Sequence, residues 1–135
     1  MRAVLDPNVV ISGLLSAEGA PAQVLSRWQE GRFELIVSPL VLDELRRALA
    51  YPKLRRHISA DDGQAAVRWL EAGALRVEDP DSDPPVRSAD PGDDYLIALA
   101  AEQRAALLSG DRHLLELEKR IPVYSPRAFL ELIEP

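Results

Sequence analysis

The residues of this chain best suited to chemistry are acids placed where apolar segments begin or end. Asp6 directly follows the first apolar run, and Asp111 follows a later one after two small residues. Asp93 and Asp94 open a third apolar stretch that has a helical pattern. Several carboxylates at matching positions repel one another unless a positive group lies between them. Because hard divalent cations take oxygen ligands, these acids predict a divalent-cation site.

Each of these acids also has a purely structural explanation. Asp6 and Asp111 could cap the helices that follow them, and Asp93 and Asp94 could be first-turn residues favoured by the helix dipole. Asp90 is interpreted as a loop residue. Capping and cation binding therefore both stay open for the individual residues.

Glu44 lies inside a predicted helix, so the helix face that it occupies matters. Residues three and four apart share a face, which places Glu44 beside Leu40, Val41 and Ala48. Asp43 instead has two arginines at favourable spacings and is expected to form surface ion pairs. A carboxylate that borders a buried surface carries a desolvation cost, which either a cation or an arginine would offset.

The predicted elements alternate between strands and helices along the whole chain. The predicted strands are 3–5, 34–37, 75–77, 106–108 and 123–124. The predicted helices are 8–16, 21–30, 40–51, 61–72, 95–102, 111–119 and 126–132. Short apolar strands alternating with helices predict an α/β fold with a mostly parallel central sheet. Since ligands bind beyond the carboxyl ends of such strands, the acids are expected to meet at that edge.

Composition narrows the class of protein further. The 135 residues fit a single domain, 1–135, and the 47% hydrophobic and 28% charged fractions are ordinary for a soluble protein. The sequence has neither an apolar run long enough to cross a bilayer nor a signal-peptide pattern, so a cytoplasmic location is expected. The chain has no cysteine, which excludes disulfides, thiolate catalysis and zinc–sulfur sites.

Four segments, in chain order, resemble the motifs of the PIN-domain ribonucleases, particularly the toxin component of VapC-like toxin–antitoxin pairs. The segments are VLDPNVV (4–10), SPLVLDEL (38–45), DYLIALA (94–100) and LSGD (108–111) followed by HLL (113–115). The sequence departs from the family pattern at Pro7, where threonine is usual, and at Ser109, where threonine is common.

The resemblance implies a three-layer α/β/α sandwich and an endoribonuclease that depends on Mg²⁺ or Mn²⁺. It assigns the catalytic, metal-binding acids as Asp6, Glu44, Asp94 and Asp111. Asp93 is a further candidate ligand, ranked second because the Ile-Ala spacing favours its neighbour. Asn8 and Ser109 are expected to support and orient these ligands.

The implied substrate is RNA, attacked at a phosphodiester by a metal-activated water. The net charge of −6 argues against nucleic-acid binding, but the basic residues are unevenly distributed. Candidate contacts to the RNA backbone, or simply solvated side chains, are Arg46, Arg47, Lys53, Arg55, Arg56 and Arg112. The resemblance also leads us to expect a homodimer and an antitoxin protein partner.

Two other functions fit parts of the same sequence. A non-catalytic PIN-like module that binds RNA or protein would explain the loss of the hydroxyl at Pro7. A phospho-accepting receiver domain has a similar length and layering, but it requires paired acids after the first strand. Asp6 stands alone there, and Lys53 and Lys119 are both misplaced for the lysine that a receiver domain needs near its last strand.

Overall fold

The computed structural model describes residues 1–134, so Pro135 of the predicted domain lies outside the described residues. A parallel five-stranded sheet runs through the middle of the protein in the order β3-β2-β1-β4-β5. The strands are β1 Arg2–Leu5, β2 Glu34–Val37, β3 Leu75–Arg76, β4 Ala106–Leu108 and β5 Val123–Tyr124.

Helices connect the strands, and serine-proline pairs begin two of them. The helices are α1 Pro7–Leu15, α2 Ala20–Gln29, α3 Pro39–Leu49, α4 Pro52–Arg55, α5 Ala60–Gly73, α6 Asp94–Gln103, α7 Arg112–Leu115 and α8 Pro126–Ile133. Ser38 and Ser125 cap α3 and α8 by accepting a backbone N–H in the first turn, and proline follows each cap. A short 3-10 turn, Pro91–Asp93, leads directly into α6.

Both faces of the sheet are covered by helices. Ala3 and Leu5 of β1 face a core cluster to which α1, α2, α3, α5 and α8 contribute. Val4 faces the opposite way, into a second cluster built mainly from α6, α7 and the loops around them. Alternate side chains of a strand point to opposite faces, so burial on both faces explains the uninterrupted apolar runs. The predicted α/β/α sandwich is confirmed.

The strand order places a topological switch point between β1 and β4. The chain proceeds from β1 outward to β2 and β3, whereas β4 and β5 lie on the other side of β1. Leu5 is paired in register with Leu108, and the Asp6 N–H donates to the Leu108 carbonyl at 2.9 Å. Asp6 and Ser109 therefore leave the sheet side by side, at the crevice where open α/β sheets bind their ligands.

No single helix within residues 1–134 is long and apolar enough to cross a membrane. The consecutive helices α1 and α2 have the length and apolar composition of a membrane span only when they are counted together, and a bend of 100° separates them.

Candidate metal centre

Asp6 lies at the centre of the crevice, almost fully buried with 4% of its surface exposed. Its Oδ1 accepts the Asn8 N–H at 3.0 Å, and its Oδ2 accepts the Ser109 hydroxyl at 2.8 Å. Burial raises the pKa of Asp6, the negative charge of Asp111 raises it further, and these two hydrogen bonds oppose the rise. Asp6 therefore caps α1 while carrying an unfavourable buried charge.

Ser109 connects the two acids that follow β1 and β4. Its Oγ donates to Asp6 and accepts the Asp111 N–H at 3.0 Å. Asp111 in turn caps α7, because its Oδ1 accepts the His113 N–H at 2.8 Å. The predicted capping role is thus real for both acids, yet capping occupies only one carboxylate oxygen of each.

Asp93 completes a group of three neighbouring acids. Burial, as the largest cause, and the negative charges of Asp6, Asp90 and Asp111 together raise its pKa to about 6. A hydrogen bond with Asp111, which requires a shared proton, also contributes. When Asp93 is ionised, its buried Oδ2 accepts no hydrogen bond from residues 1–134. A buried oxygen without a donor, facing other negative charges, is costly unless a cation approaches it.

Asp94 points to a different environment from Asp93. Its Oδ1 accepts the Ser88 N–H at 2.8 Å, and its Oδ2 lies 3.4 Å from the Arg87 guanidinium. These contacts fasten the loop before α6 to the helix. Since successive helical residues are about 100° apart around the axis, the two neighbouring carboxylates face different ways. The sequence ranked Asp94 above Asp93 as a ligand, but the structure brings Asp93, and not Asp94, to Asp6 and Asp111.

Glu44 reaches the same edge of the sheet from α3. Burial of Tyr95 raises its hydroxyl pKa, and the next largest cause is the charge of Glu44, followed by Asp6 and Asp93. Glu44, Asp6 and Asp93 therefore all lie near enough to Tyr95 for their charges to act on its hydroxyl. The Glu44 carboxylate is paired with Arg47 at 2.6 Å and is 43% exposed. The predicted arginine partner is thus present, on the solvent side of the site.

Asp79 was not singled out in the sequence, where it looks like one more acid of a proline-rich loop. Its Oδ2 accepts the Leu40 N–H at 2.9 Å and fastens that loop to the first turn of α3. Its Oδ1 is buried and has no hydrogen-bond partner among residues 1–134. No local pattern predicts this contact, because its two residues are 39 positions apart.

The side chains gathered at the crevice offer the kind of ligand atom that a hard divalent cation prefers. Asp6, Asp93 and Asp111 offer only oxygen ligands, and their charges act on one another. No three His, Asp or Glu side chains within residues 1–134 already stand in a metal-holding arrangement. The carboxylates would therefore have to close around an ion, which is expected of acids that repel each other in its absence.

Asn8 lies beside the acids and donates a hydrogen bond to Asp6 from its main chain, with no side-chain hydrogen bond to Asp6 among the described residues. Its backbone N–H holds the Asp6 carboxylate, while the residue itself lines a cleft of about 520 Å³. This cleft extends from Asp6 and Asp111 to the first turn of α8, where Arg127 lines it. The support expected from Asn8 thus comes from its main chain, and that expected from Ser109 from its hydroxyl.

The predicted basic residues lie on several surfaces. Arg46 pairs with Asp43 at 3.3 Å and with Glu71 at 3.4 Å, and Arg55 donates to the Leu49 carbonyl at 2.8 Å. Arg46 and Arg55 line a separate cavity of about 280 Å³ between α3 and α5. The remaining residues, all exposed, are Arg47, Lys53, Arg56 and Arg112.

Comparisons with known proteins show what this chain is similar to. Residues 2–113 match the family model of the PIN domain. An uncharacterized protein of Methanocaldococcus jannaschii, MJ1680, is 25% identical over 144 residues, covering 99% of this chain and 92% of its own. A PilT N-terminus domain protein of Sulfolobus solfataricus, SSO1118, superposes with a TM-score of 0.57 at 16% identity, covering 98% and 93% of the two chains. The family match, which spans most of the chain and all the acids described above, establishes that this protein belongs to the PIN-domain family.

Proposed function

We propose that this protein is a divalent-metal-dependent endoribonuclease whose metal-binding acids are Asp6, Asp93 and Asp111, with Glu44 as a fourth. The observation that carries the proposal is the buried Asp93 Oδ2, which has no donor within residues 1–134 and faces the charges of Asp6 and Asp111. Nuclease chemistry is typical of the PIN domain. Mg²⁺ and Mn²⁺ are the cations that fit an all-oxygen site of this kind.

The protein's own contribution is to hold the acids in place. Ser109 orients the Asp6 carboxylate with one hydrogen bond and the Asp111 backbone with another. A bound Mg²⁺ or Mn²⁺ would supply a water of lowered pKa and would neutralise charge on the phosphodiester. No side chain at the crevice is assigned as a general acid.

Glu44 is available to this site at a small energetic cost. Its ion pair with Arg47 is solvent-exposed, and exposed pairs contribute about 0–1 kcal/mol. Glu44 can therefore turn from the arginine toward the acid group. Asp94, in contrast, would lose a buried hydrogen bond from Ser88, so we assign it to the support of the loop.

The proposed substrate, biological role, oligomeric state and protein partner rest on the resemblance to the PIN-domain ribonucleases. We propose RNA as the substrate, action as the toxin of a toxin–antitoxin pair, a homodimeric state and an antitoxin that blocks the crevice. A small DNA-binding protein encoded beside this chain would support the toxin role. Its absence would favour a nuclease without an antitoxin.

A cleavage assay with three matched variants tests the proposal. Wild type is incubated with labelled single-stranded RNA and Mn²⁺ or Mg²⁺, with EDTA as the blank, beside Asp6→Asn, Asp93→Asn and Asp94→Asn. We expect divalent-dependent cleavage that Asp6→Asn and Asp93→Asn abolish and that Asp94→Asn retains in its folded fraction, measured by circular dichroism. Mn²⁺ binding without cleavage would favour the non-catalytic module, and cleavage by Asp6→Asn would refute the proposed site.

A further inference from the structure

We propose that the cleft between α1 and α8 is a subsite for the RNA nucleotide next to the cleaved bond, with Arg127 binding that nucleotide's phosphate. The catalytic part of this inference rests on the proposed function, since the acids form one end of the cleft. The cleft's volume of about 520 Å³ lies within the range of about 300–1,000 Å³ that is typical of ligand pockets.

The cleft is continuous with the acid group. Asp6, Gly110 and Asp111 line it at the sheet edge, and Arg127 lines it at the start of α8. A phosphodiester held at the acids would therefore place the adjoining nucleotide beside Arg127. The basic residues around α3 and α5 border a different cavity, so they do not offer this continuity.

Arg127 is the basic side chain that lines this cleft within the described residues. None of the carboxylates in residues 1–134 lies within 4.0 Å of its guanidinium, although the acids share its cleft. Arg46, Arg47 and Arg112, in contrast, are each paired with an acid on their own helix or in its next turn. A guanidinium that is free to form two parallel hydrogen bonds is well suited to a phosphate.

The α1 side of the cleft offers two uncharged polar residues beside the apolar Val9. Asn8 and Ser12 are four residues apart on α1, so they share one face of that helix, and both line the cleft. Their side chains form no hydrogen bonds with the part of the chain covered by residues 1–134. An amide and a hydroxyl can contact the 2′-hydroxyl or the base edge of a nucleotide, as sites selective for RNA do.

Binding and cleavage are measured separately to test the subsite. Binding of fluorescein-labelled single-stranded RNA is followed by anisotropy in EDTA over a range of salt concentrations. kcat and KM are measured in Mn²⁺. The variants are Arg127→Ala, Arg127→Lys and, as a matched control, Arg120→Ala. Arg120 is exposed and precedes β5, so it lies at the opposite edge of the sheet.

We expect Arg127→Ala to weaken RNA binding and raise KM by about tenfold, with little change in kcat. Loss of one phosphate contact should also reduce the slope of log K against log salt by about 0.7. Arg127→Lys should recover part of the affinity, because it restores the charge without the paired donors. Arg120→Ala should bind and cleave like wild type.

The outcomes separate the subsite from the catalytic proposal. Unchanged binding by Arg127→Ala, or an equal loss in Arg120→Ala, would overturn the subsite even if wild type cleaves RNA. A wild type that binds no RNA would overturn it as well. Arg127-dependent binding by a wild type that does not cleave would support the subsite and refute the nuclease.

Discussion

Replacing Asp93 by asparagine should stabilise the metal-free protein while removing its cation site. The ordinary pKa of an aspartate, 3.8, rises at Asp93 to about 6, because of burial and three neighbouring acids. The folded state therefore retains a proton that the unfolded state releases as the pH rises from about 4 to 6. Stability falls across that window, and the full destabilisation is present above it.

The size of the effect follows from the two pKa values. At about 1.4 kcal/mol per pKa unit, the rise from 3.8 to about 6 corresponds to at most about 3 kcal/mol. Solvent screens much of this, since Asp93 is only partly buried, and we expect about 1 kcal/mol. For a chain of 135 residues that corresponds to an increase in Tm of about 3–5 °C.

Thermal unfolding of Asp93→Asn in EDTA at pH 7.5 and pH 4 measures this directly, with Asp81→Asn as a control. Asp81 is exposed in the same loop, so its substitution should leave Tm unchanged at both pH values. The gain of Asp93→Asn should be present at pH 7.5 and nearly absent at pH 4. Adding Mn²⁺ at pH 7.5 should raise the Tm of wild type but not of Asp93→Asn. A Tm equal to or below that of wild type at pH 7.5 in EDTA would mean that the Asp93 charge does not destabilise the metal-free protein.

Three further substitutions test the surrounding contacts. Asp94→Asn should lower the free energy of unfolding by about 1–3 kcal/mol, since it weakens the bond to Ser88, yet it should leave Mn²⁺ affinity nearly unchanged in calorimetry. Arg47→Ala should tighten Mn²⁺ binding by about two- to fivefold, because Glu44 is released from a pair worth up to about 1 kcal/mol. Ser109→Ala should lower the free energy of unfolding in urea by about 1–3 kcal/mol, because a buried hydrogen bond to Asp6 and a partly buried one from the Asp111 N–H are lost.

Matched variants distinguish these effects from general damage. Asp61→Asn changes an exposed acid of α5 and should not alter stability by more than about 0.5 kcal/mol. Arg46→Ala removes an arginine from the same helix as Arg47 and should leave Mn²⁺ affinity unchanged. Ser109→Thr keeps the hydroxyl and should retain most of the stability. Weaker Mn²⁺ binding in Arg47→Ala would mean that the arginine positions Glu44 for the ion and does not withhold it.

The layout of the sheet could be predicted because its strands are short, apolar and clearly delimited. The predicted bounds of β2, β4 and β5 are those of the structure, and the serine-proline pairs before α3 and α8 mark their starts. Because these strands are buried on both faces, each appears in the sequence as one continuous apolar run and not as alternating apolar and polar residues. The ends of such a run are easy to locate.

Two helices differ from the prediction because tertiary packing decides their lengths. The predicted helix 111–119 ends at Leu115, and a series of turns follows in which the Arg120 N–H donates to the Leu117 carbonyl. These turns pack Leu117 and Ile121 against the second core cluster before β5 begins. The predicted helix 40–51 ends at Leu49, and Pro52 begins the short, unpredicted α4, where its fixed φ suits the first turn.

The site was predictable where it depends on the sheet, and less so where it depends on the loop before α6. Asp6 and Asp111 follow adjacent strands, so the alternation of elements was enough to bring them together. The choice between Asp93 and Asp94 depends on the 3-10 turn and on donors from Arg87 and Ser88. Neither the turn nor these donors leaves a pattern in the motif itself.

A crystal of the protein grown with Mn²⁺ and measured at the manganese absorption edge would show directly which carboxylates bind the ion. We predict one anomalous peak at the crevice between β1 and β4, within about 2.5 Å of carboxylate oxygens from Asp6, Asp93 and Asp111. A manganese ion bound through Asp94, or a crevice that stays free of manganese at saturating concentration, would rule out the proposed metal centre.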